Sequence, residues 1–476
     1  MNKIYTTIAF ASIVFFAGCG KDFLTEEPPL AQSDVLTLSS YEGLDKATAG
    51  AYAPLSSISW YGGEFILSNE MRTMNGKHWG FAFKEYYSGR YVDDYRINFT
   101  PNNTSSVWGV AYLVINAANS VIGALDKVPG DAQAKNNLKA ECLFLRALAH
   151  FDALRTFAQP YNFTADASHP GVPIVLTVDP KDKPARSSVK DVYARIIEDL
   201  SEAEKIIDPA YARQGVKDSR AAISLMVIKA LLSRVYLYSE NWQKASDYAT
   251  EVINSKKYSI WEADKIASVY QEDVPGKGEV IFEVYMNTTQ SYGTGNTNVW
   301  GMSWYEGYGD CGASADLQKL YESDDVRAAL VVPDNSGKAL FTKKYSGKGL
   351  GTLDANNVIL LRLSEMYLNR AEATLHGAKT PVSASVDLET ITSNRKASPA
   401  PASLDGVYIE RAKEFAWEGH LWFDLARTGR PMKRKDVTDP NIPQEIPPKD
   451  HRWAMPIPNR EFTVNGNLIQ NEGYGK

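Results

Sequence analysis

The chain has 476 residues, of which 44% are hydrophobic, and a formal net charge of −6. A chain of this length buries an ample core and has room for two or three domains. Its mild acidity argues against a nucleic-acid partner, which would require a basic face. Three cysteines are too few to staple a fold of this size, so its stability must come from its core. We expect Cys142 and Cys311 to be unpaired thiols, with a disulfide between them as the alternative.

The first nineteen residues have the pattern of an export signal. Lys3 supplies a positive start, an apolar run follows from Ile8 to Phe16, and the run closes on Ala17-Gly18-Cys19. The run is too short to cross a bilayer as a helix, so residues 1–18 predict a cleaved signal peptide. Small residues before Cys19 resemble the cleavage site of bacterial lipoproteins, in which this cysteine becomes the acylated N-terminus. The alternative is an ordinary signal with Cys19 incidental.

Residues 19–40 are polar and contain proline, which predicts a tether between the lipid anchor and a folded body. An acylated cysteine holds a protein at the membrane without threading the chain through it. Beyond the signal, we expect no further apolar run long enough to span a bilayer.

Helical periodicity of apolar residues recurs in pairs through the rest of the chain. In the clearest unit, Leu232, Tyr236 and Ala245 match the large and small positions of a tetratricopeptide repeat. Trp108 and Trp242 lie in apolar stripes, which predicts core positions for both. About four such helix pairs indicate an all-α, right-handed helical array. The helical segments cover residues 107–127, 134–157, 188–207, 222–254 and 358–395.

Two regions, about 56–105 and 256–350, do not fit the repeat. Both hold many aromatic residues among Gly and Asn, and the second contains one strand candidate, Val280 to Met286. Long insertions in a repeat array usually lie on one face and often form its binding surface. The predicted fold is therefore a tetratricopeptide-like helix-pair scaffold with long irregular loop insertions and minor β structure.

Aromatic side chains in these insertions are the candidates for ligand contacts. A Trp or Tyr face covers the apolar face of a sugar ring, while Asn, Asp or Arg side chains bond its hydroxyls. The alternative is that the aromatic rings pack their own loops onto the helices, and Trp60 and Tyr61 are evenly balanced between the two interpretations. We expect one cleft to be formed by Trp79, Tyr292, Trp300, Trp304 and Tyr305.

The most specific motif of the chain runs from Ile409-Glu410-Arg411 through Glu414-Phe415-Ala416-Trp417-Glu418-Gly419-His420 to Asp424-Leu425. Further motifs are Cys19 to Leu24, Trp108 to Asn119, Phe144-Leu145-Arg146-Ala147, Arg362 to Glu372, and Met455 to Tyr474. Together these motifs resemble the SusD/RagB family of outer-membrane lipoproteins of Bacteroidetes, over nearly the whole length. Leu421 and Glu472 depart from the family pattern, which usually has Arg and Pro there.

The resemblance implies a surface-exposed, lipid-anchored protein of the outer membrane with a single domain over residues 41–476. Members of the family bind glycan, or peptide in the RagB branch, and cap a SusC-like TonB-dependent transporter. The resemblance implies no catalytic residues, metal or cofactor. Peptide capture by the same architecture is the first alternative, and a groove of mixed charge with exposed backbone would favour it.

Glu410, Glu414, Glu418 and His420 have the residue types of an acid/base site. Their four-residue spacing on a predicted helix favours scaffold ion pairs, with Arg411 or with neighbouring helices. Asp93-Asp94 and Asp324-Asp325 are candidates for calcium ligands, although ion pairing is the preferred interpretation. A surface glycoside hydrolase is the second alternative, and it would need two carboxylates roughly 5–10 Å apart in the aromatic cleft.

Overall fold

Helices dominate the computed structural model, which describes residues 37–79, 88–216, 219–272, 278–286, 297–348, 356–437 and 439–475. The signal peptide, Cys19 and Tyr292 lie outside these residues. The helices are α1 Tyr41–Tyr52, α2 Glu64–Met71, α3 Val92–Arg96, α4 Val107–Ala124, α5 Ala132–Phe157, α6 Val189–Ile206, α7 Leu225–Tyr238, α8 Trp242–Asn254, α9 Val299–Ser303, α10 Ala315–Gln318, α11 Leu363–Leu375, α12 Ala384–Asn394, α13 Leu404–Glu414, α14 Leu421–Arg427 and α15 Asn459–Val464. The strands are β1 Gly76–His78, β2 Val280–Val284, β3 Cys311–Ala313, β4 Val331–Pro333, β5 Leu340–Thr342, β6 Val358–Arg362, β7 Met432–Lys433 and β8 Glu445–Ile446.

Eight helices form a continuous scaffold in which each packs against the next, in the order α1, α4, α5, α6, α7, α8, α11, α12. Capping side chains fix where several of them begin: Asp131, Ser188 and Asn241 accept backbone N–H groups at the starts of α5, α6 and α8. In the clearest of the predicted repeat units, formed by α7 and α8, the Ser233 hydroxyl on α7 donates to the Ala245 carbonyl on α8 at 2.9 Å. The predicted repeat scaffold is confirmed.

Helix α4 corrects one sequence prediction. Together with the turn that follows it, α4 forms the segment Val107–Lys127, which by length and composition alone could cross a membrane. The sequence pattern predicted that no such segment follows the signal. Half of its most apolar window is buried inside the fold, because α4 packs between α1 and α5 and needs apolar residues on both sides. Trp108 on this helix is buried as predicted.

Trp242 departs from its predicted core position. It is only half-buried, since it begins α8 beside an open turn, and its indole stacks on His376 with 3.9 Å between ring centroids. Cys142 and Cys311 are buried free thiols, as expected.

The last predicted helical segment, 358–395, begins with a buried β-strand instead of a helix. The strand candidate beginning at Val280 is confirmed as β2, and it pairs antiparallel with β6, Val358–Arg362. Both strands are buried along their whole length, so β6 is a continuous aliphatic run that periodicity cannot distinguish from a buried helix. Helix α11 therefore begins only at Leu363, five residues later than the predicted helical segment.

The two insertions meet in one sheet. Strand β1 from the first insertion pairs antiparallel with β3 from the second, and β5 and β4 complete the four-stranded order β1-β3-β5-β4. Gly312 in β3 is covered by the Trp79 indole, and a Cβ atom there would lie 2.0 Å from Trp79 Cδ1. A residue with a side chain at 312 would force the two insertions apart.

A buried network of ion pairs surrounds the end of α13. Glu414 at the end of α13 pairs with Arg362 (2.6 Å), Arg395 (2.8 Å) and Arg327 (2.8 Å). Glu418 pairs with Arg362 (2.8 Å) and with Lys344. Burial alone would raise the pKa of Glu414, but the three arginines hold it well below its ordinary value. These carboxylates are structural ion pairs, as the sequence favoured.

The predicted partner Arg411 is not part of the network, since it pairs with Asp424 at 2.9 Å. Burial and the nearby arginines Arg234 and Arg411 lower the pKa of His420 well below its ordinary value, so this histidine is neutral at pH 7. Asp325 forms a buried ion pair with Arg327 at 2.7 Å, in agreement with the ion-pair interpretation of Asp324-Asp325.

Replacing one carboxylate of the network should destabilise the fold strongly. We expect Glu418→Gln to lower the free energy of unfolding by about 3–5 kcal/mol, because it leaves Lys344 and Arg362 buried with less compensating charge. Denaturant melts would measure the loss. The matched control is Glu198→Gln, whose carboxylate is 68% exposed and pairs with Arg195 on the surface, so it should cost less than about 1 kcal/mol. Equal losses for both variants would contradict this account.

Candidate ligand-binding site

Four of the five predicted aromatic residues, Trp79, Trp300, Trp304 and Tyr305, pack with Phe341 in one cluster, named here the aromatic cluster. Trp300 lies in helix α9, which begins where the N-cap Asn298 accepts from the Gly301 N–H at 2.8 Å, and Trp304 is the C-cap residue, whose N–H donates to the Trp300 carbonyl at 2.9 Å. The rings of Trp304 and Tyr305 lie 4.4 Å apart, and Tyr305 meets Phe341 at 5.8 Å. The Trp79 indole donates to the Leu340 carbonyl at 3.0 Å.

The members of the aromatic cluster differ in what they offer a ligand. Trp300 and Trp304 are only 5% and 8% exposed, so they mainly pack the second insertion. Trp79 and Tyr305 are half-buried and keep part of each ring at the surface. A ligand role for these residues and for Tyr292 stays a prediction. Trp60 and Tyr61 belong to the core, where both donate to the Asp152 carboxylate.

Polar residues that flank the aromatic loops in the sequence are mostly used inside the fold. Asn75 donates to Glu70, Lys77 pairs with Asp436, Asn298 caps α9, and Asp310 accepts from Ser88. Arg90 is the exception, because it is exposed and its guanidinium lies 5.5 Å from the centre of the Tyr308 ring.

A pocket of about 390 Å³, named here the polar pocket, opens where the two insertions meet. It lies at the start of α2, and Thr297, immediately before the N-cap of α9, forms part of its wall. The Val299 N–H donates to the Gly62 carbonyl at 2.8 Å, which joins α9 to this end of α2. The remaining wall includes Ser59, Glu64, Arg90, Tyr91, Asp93, Asp94, Asn103 and Ser106.

Sequence reasoning did not assign most residues of the polar pocket to a ligand. Asp93-Asp94 was predicted as a candidate calcium pair, but Glu64, Arg90, Tyr91 and Asn103 were missed. They are ordinary polar residues spread over forty positions, with no spacing that predicts convergence. Asp93 accepts from the Asn103 amide. Within the ranges that the structure describes, no group of three or more His, Cys, Asp or Glu side chains is placed to hold a metal ion.

The backbone that forms one wall of the polar pocket is strained. Helix α3 is bracketed by Tyr91 and Ile97, which have φ of 59° and 52° in the left-handed region. This conformation is uncommon for residues other than glycine and is an outlier for a β-branched residue such as Ile97. Each such residue costs on the order of 1–3 kcal/mol, and strain of this kind clusters at functional sites.

Burial also perturbs the acids of the polar pocket. Burial raises the pKa of Glu64 to about 7, although hydrogen bonds from Ser105 and Ser106 oppose the shift. The Ser106 N–H donates to Glu64 Oε1 at 2.8 Å. Burial likewise raises the pKa of Asp94, against the opposing charge of Arg72. The pocket therefore combines hydrogen-bond acceptors, hydroxyls and one guanidinium, a set that suits a polyhydroxylated ligand.

Comparison with known proteins places this geometry in a family. A family model described as starch-binding and associating with the outer membrane matches residues 22–237, and the SusD family model matches residues 335–474. A SusD-like protein of Formosa agariphila is 24% identical over 99% of this chain and 100% of its own length. A SusD-like protein of Bacteroides ovatus is 26% identical over 87% of this chain and 80% of its own.

Solved structures agree with these matches. A SusD superfamily protein from Bacteroides vulgatus superposes with a TM-score of 0.81 at 28% identity, covering 92% of this chain and 100% of that one. Together the matches define a class of carbohydrate-binding proteins associated with the outer membrane. The chain belongs to the SusD/RagB family of that class.

The raised pKa of Glu64 predicts a specific pH dependence of stability. Its folded pKa of about 7 lies above the ordinary value of 4.5, so its contribution to stability is fully present below pH 4.5 and is lost as pH rises through 7. Glu64→Gln removes this titrating group, so the variant should not lose stability in this way as pH rises. Between pH 5 and pH 8, the free energy of unfolding of the variant should therefore rise relative to that of the wild type by on the order of 1–3 kcal/mol. Denaturant melts of both proteins, with Glu198→Gln as control, measure the effect. Parallel pH profiles for Glu64→Gln and wild type would refute it.

Proposed function

We propose that this protein captures oligo- or polysaccharide at the cell surface for import by a SusC-like TonB-dependent transporter. The observation that carries the proposal is the junction of the two insertions, where the aromatic cluster and the polar pocket share the segment 297–310. Membership of a family with a starch-binding model supports a carbohydrate ligand.

The chemistry of the junction suits a sugar chain. Sugar rings combine an apolar C–H face with a rim of hydroxyls, so they need both ring faces and hydrogen-bonding groups. Half-buried Trp79 and Tyr305, together with Tyr292, would cover ring faces, while Trp300 and Trp304 hold the aromatic cluster rigid from behind. Glu64, Arg90 and Asn103 would bond hydroxyls in the polar pocket.

The same architecture is compatible with two alternative functions, peptide capture and glycoside hydrolysis. Mixed charge in the polar pocket, where Arg90 lies among acids, is the observation that favours peptide capture. A surface glycoside hydrolase would have to use the pocket acids, because Glu414 and Glu418 are committed to buried ion pairs. Sugar release during binding measurements would identify such an enzyme.

The position of the protein follows from its N-terminus in this proposal. Residues 1–18 would be removed, Cys19 would carry the acyl anchor, and residues 19–40 would tether a single SusD-like domain over residues 41–476. The scaffold helices would face the partner barrel, which leaves the two insertions free to meet the ligand.

Measuring glycan binding and stability on the same variants should distinguish aromatic residues that contact the ligand from those that only pack the fold. We expect Trp79→Ala and Tyr305→Ala to weaken glycan binding by on the order of 1–3 kcal/mol, the usual cost at an aromatic hot spot, with small changes in melting temperature. The control is Trp300→Ala, whose buried indole should cost about 3–5 kcal/mol of stability. Titration with the best ligand of a glycan screen and thermal melts of the same variants provide the comparison.

Three outcomes would count against the binding face. Large stability losses for Trp79→Ala and Tyr305→Ala, with unchanged affinity in the folded fraction, would mean that these rings only pack the loops. Binding of peptides in preference to every glycan would favour the RagB-like alternative. Reducing sugar released by the wild type and lost in Glu64→Gln would establish a hydrolase.

The anchor makes a separate prediction. Cys19→Ala should abolish fatty-acid labelling and release the protein from the membrane fraction, because one acylated cysteine is its proposed membrane hold. Metabolic labelling with a radioactive fatty acid, followed by fractionation, measures both effects. Label that persists in the Cys19→Ala protein would rule the anchor out.

A further inference from the structure

The charged groups around the polar pocket are unbalanced. Glu64, Asp93 and Asp94 line it with three carboxylates, whereas Arg90 supplies the one guanidinium among its lining residues. Arg90 is also exposed at the rim, over the Tyr308 ring, rather than inside the pocket. The lining carries hydroxyls and amides besides, from Ser59, Asn103 and Ser106.

Neighbouring cations neutralise these carboxylates only in part. Arg72 opposes the raised pKa of Asp94, but its guanidinium is turned inward, 4.4 Å from the centre of the Trp422 ring. Glu64 is held by hydrogen bonds from Ser105 and Ser106 rather than by a cation. Asp93 accepts from the neutral amide of Asn103. Above pH 7, where the Glu64 carboxyl is ionised, the pocket therefore presents a negative potential and an excess of hydrogen-bond acceptors to whatever enters it.

An acceptor-rich, negative pocket discriminates between classes of glycan. Hydroxyl groups donate to carboxylates at no electrostatic cost, whereas a ligand carboxylate or sulfate would be placed among like charges. Two like charges about 6 Å apart, at an effective dielectric constant of 20 to 80, repel enough to change affinity by roughly threefold to a hundredfold.

We propose that the polar pocket takes neutral glycans and rejects glycans that carry uronic acid or sulfate groups. This inference rests on the proposed glycan-binding function and names the chemical class of its ligand. The negative lining selects the ligand by charge, and the aromatic rings of the adjacent cluster accept sugar faces of either class.

Matched polymer pairs test the selectivity whichever sugar the protein binds. The probes are neutral glucan, galactan and mannan, each beside the same polymer with part of its primary C6 hydroxyl groups oxidised to carboxylates. Affinity electrophoresis of the protein lacking residues 1–19, at pH 8 so that Glu64 is ionised, gives a dissociation constant for each. For every neutral polymer that binds, we expect its oxidised form to bind at least threefold more weakly.

Variants assign the discrimination to the pocket. Glu64→Gln and Asp93→Asn should each narrow the ratio between neutral and oxidised forms severalfold, whereas Glu198→Gln on the remote surface of α6 should leave it unchanged. Because Asp93 is half-buried, we expect Asp93→Asn to have only a small effect on the stability of the fold. This variant therefore provides the test if the Glu64→Gln protein fails to fold. An unchanged ratio in Asp93→Asn would overturn the assignment.

The outcomes separate this inference from the proposed function. Oxidised polymers that bind as tightly as their neutral parents, or more tightly, would overturn the charge selection while leaving glycan capture intact. Failure of every polymer, neutral and oxidised, to bind would overturn both.

Discussion

The antiparallel pairing of β1 with β3 is the constraint on which the candidate site depends. Each strand is three residues long, and together they join two insertions that lie far apart in the chain. Trp79 follows β1 directly and lies against Gly312 of β3, so the first aromatic ring of the cluster is placed by the same pairing. The wall of the polar pocket at Thr297 is held separately, by the hydrogen bond from the Val299 N–H to the Gly62 carbonyl.

Buried cations hold both insertions to the rest of the fold. Arg434 donates to the carbonyls of Met71 (2.7 Å), Thr73 (3.2 Å) and Tyr95 (2.6 Å), which fixes the end of α2 relative to the strained helix α3. Arg362, at the end of β6, pairs with Glu279 of the second insertion (3.0 Å) and with Glu414 at the end of α13 (2.6 Å), which connects the two. Charge is thus used in two ways: paired and buried in the support, unbalanced and accessible in the pocket.

The sequence predicted the scaffold well because helix pairs repeat a local pattern. Apolar residues every three or four positions located α4 to α8, and capping residues such as Asp131 and Ser188 set their starts. The prediction failed at β6, where five consecutive aliphatic or basic residues carry no period, and at Trp242, where a repeat position lies beside an open turn. In both places the tertiary neighbours decide the outcome, and sequence spacing does not record them.

The candidate site was predictable only in part for the same reason. Aromatic residues outside helical periodicity indicated the two insertions, and the structure packs four of the five in one cluster. Sequence reasoning could not tell buried Trp300 from half-buried Trp79, because burial depends on how the second insertion folds over α9. Glu64, Tyr91 and Asn103 had no motif at all, since all three lie in the first insertion and their proximity follows from how that insertion folds, including the left-handed turn at Tyr91.

The central claim is that the ligand lies at the junction of the two insertions. A crystal structure of residues 37–475 with a bound neutral oligosaccharide tests it most directly. The account predicts sugar rings in the polar pocket between Tyr91 and Thr297, with at least one ring face against Trp79 or Tyr305. An oligosaccharide bound instead along the scaffold helices, with the pocket empty, would contradict it.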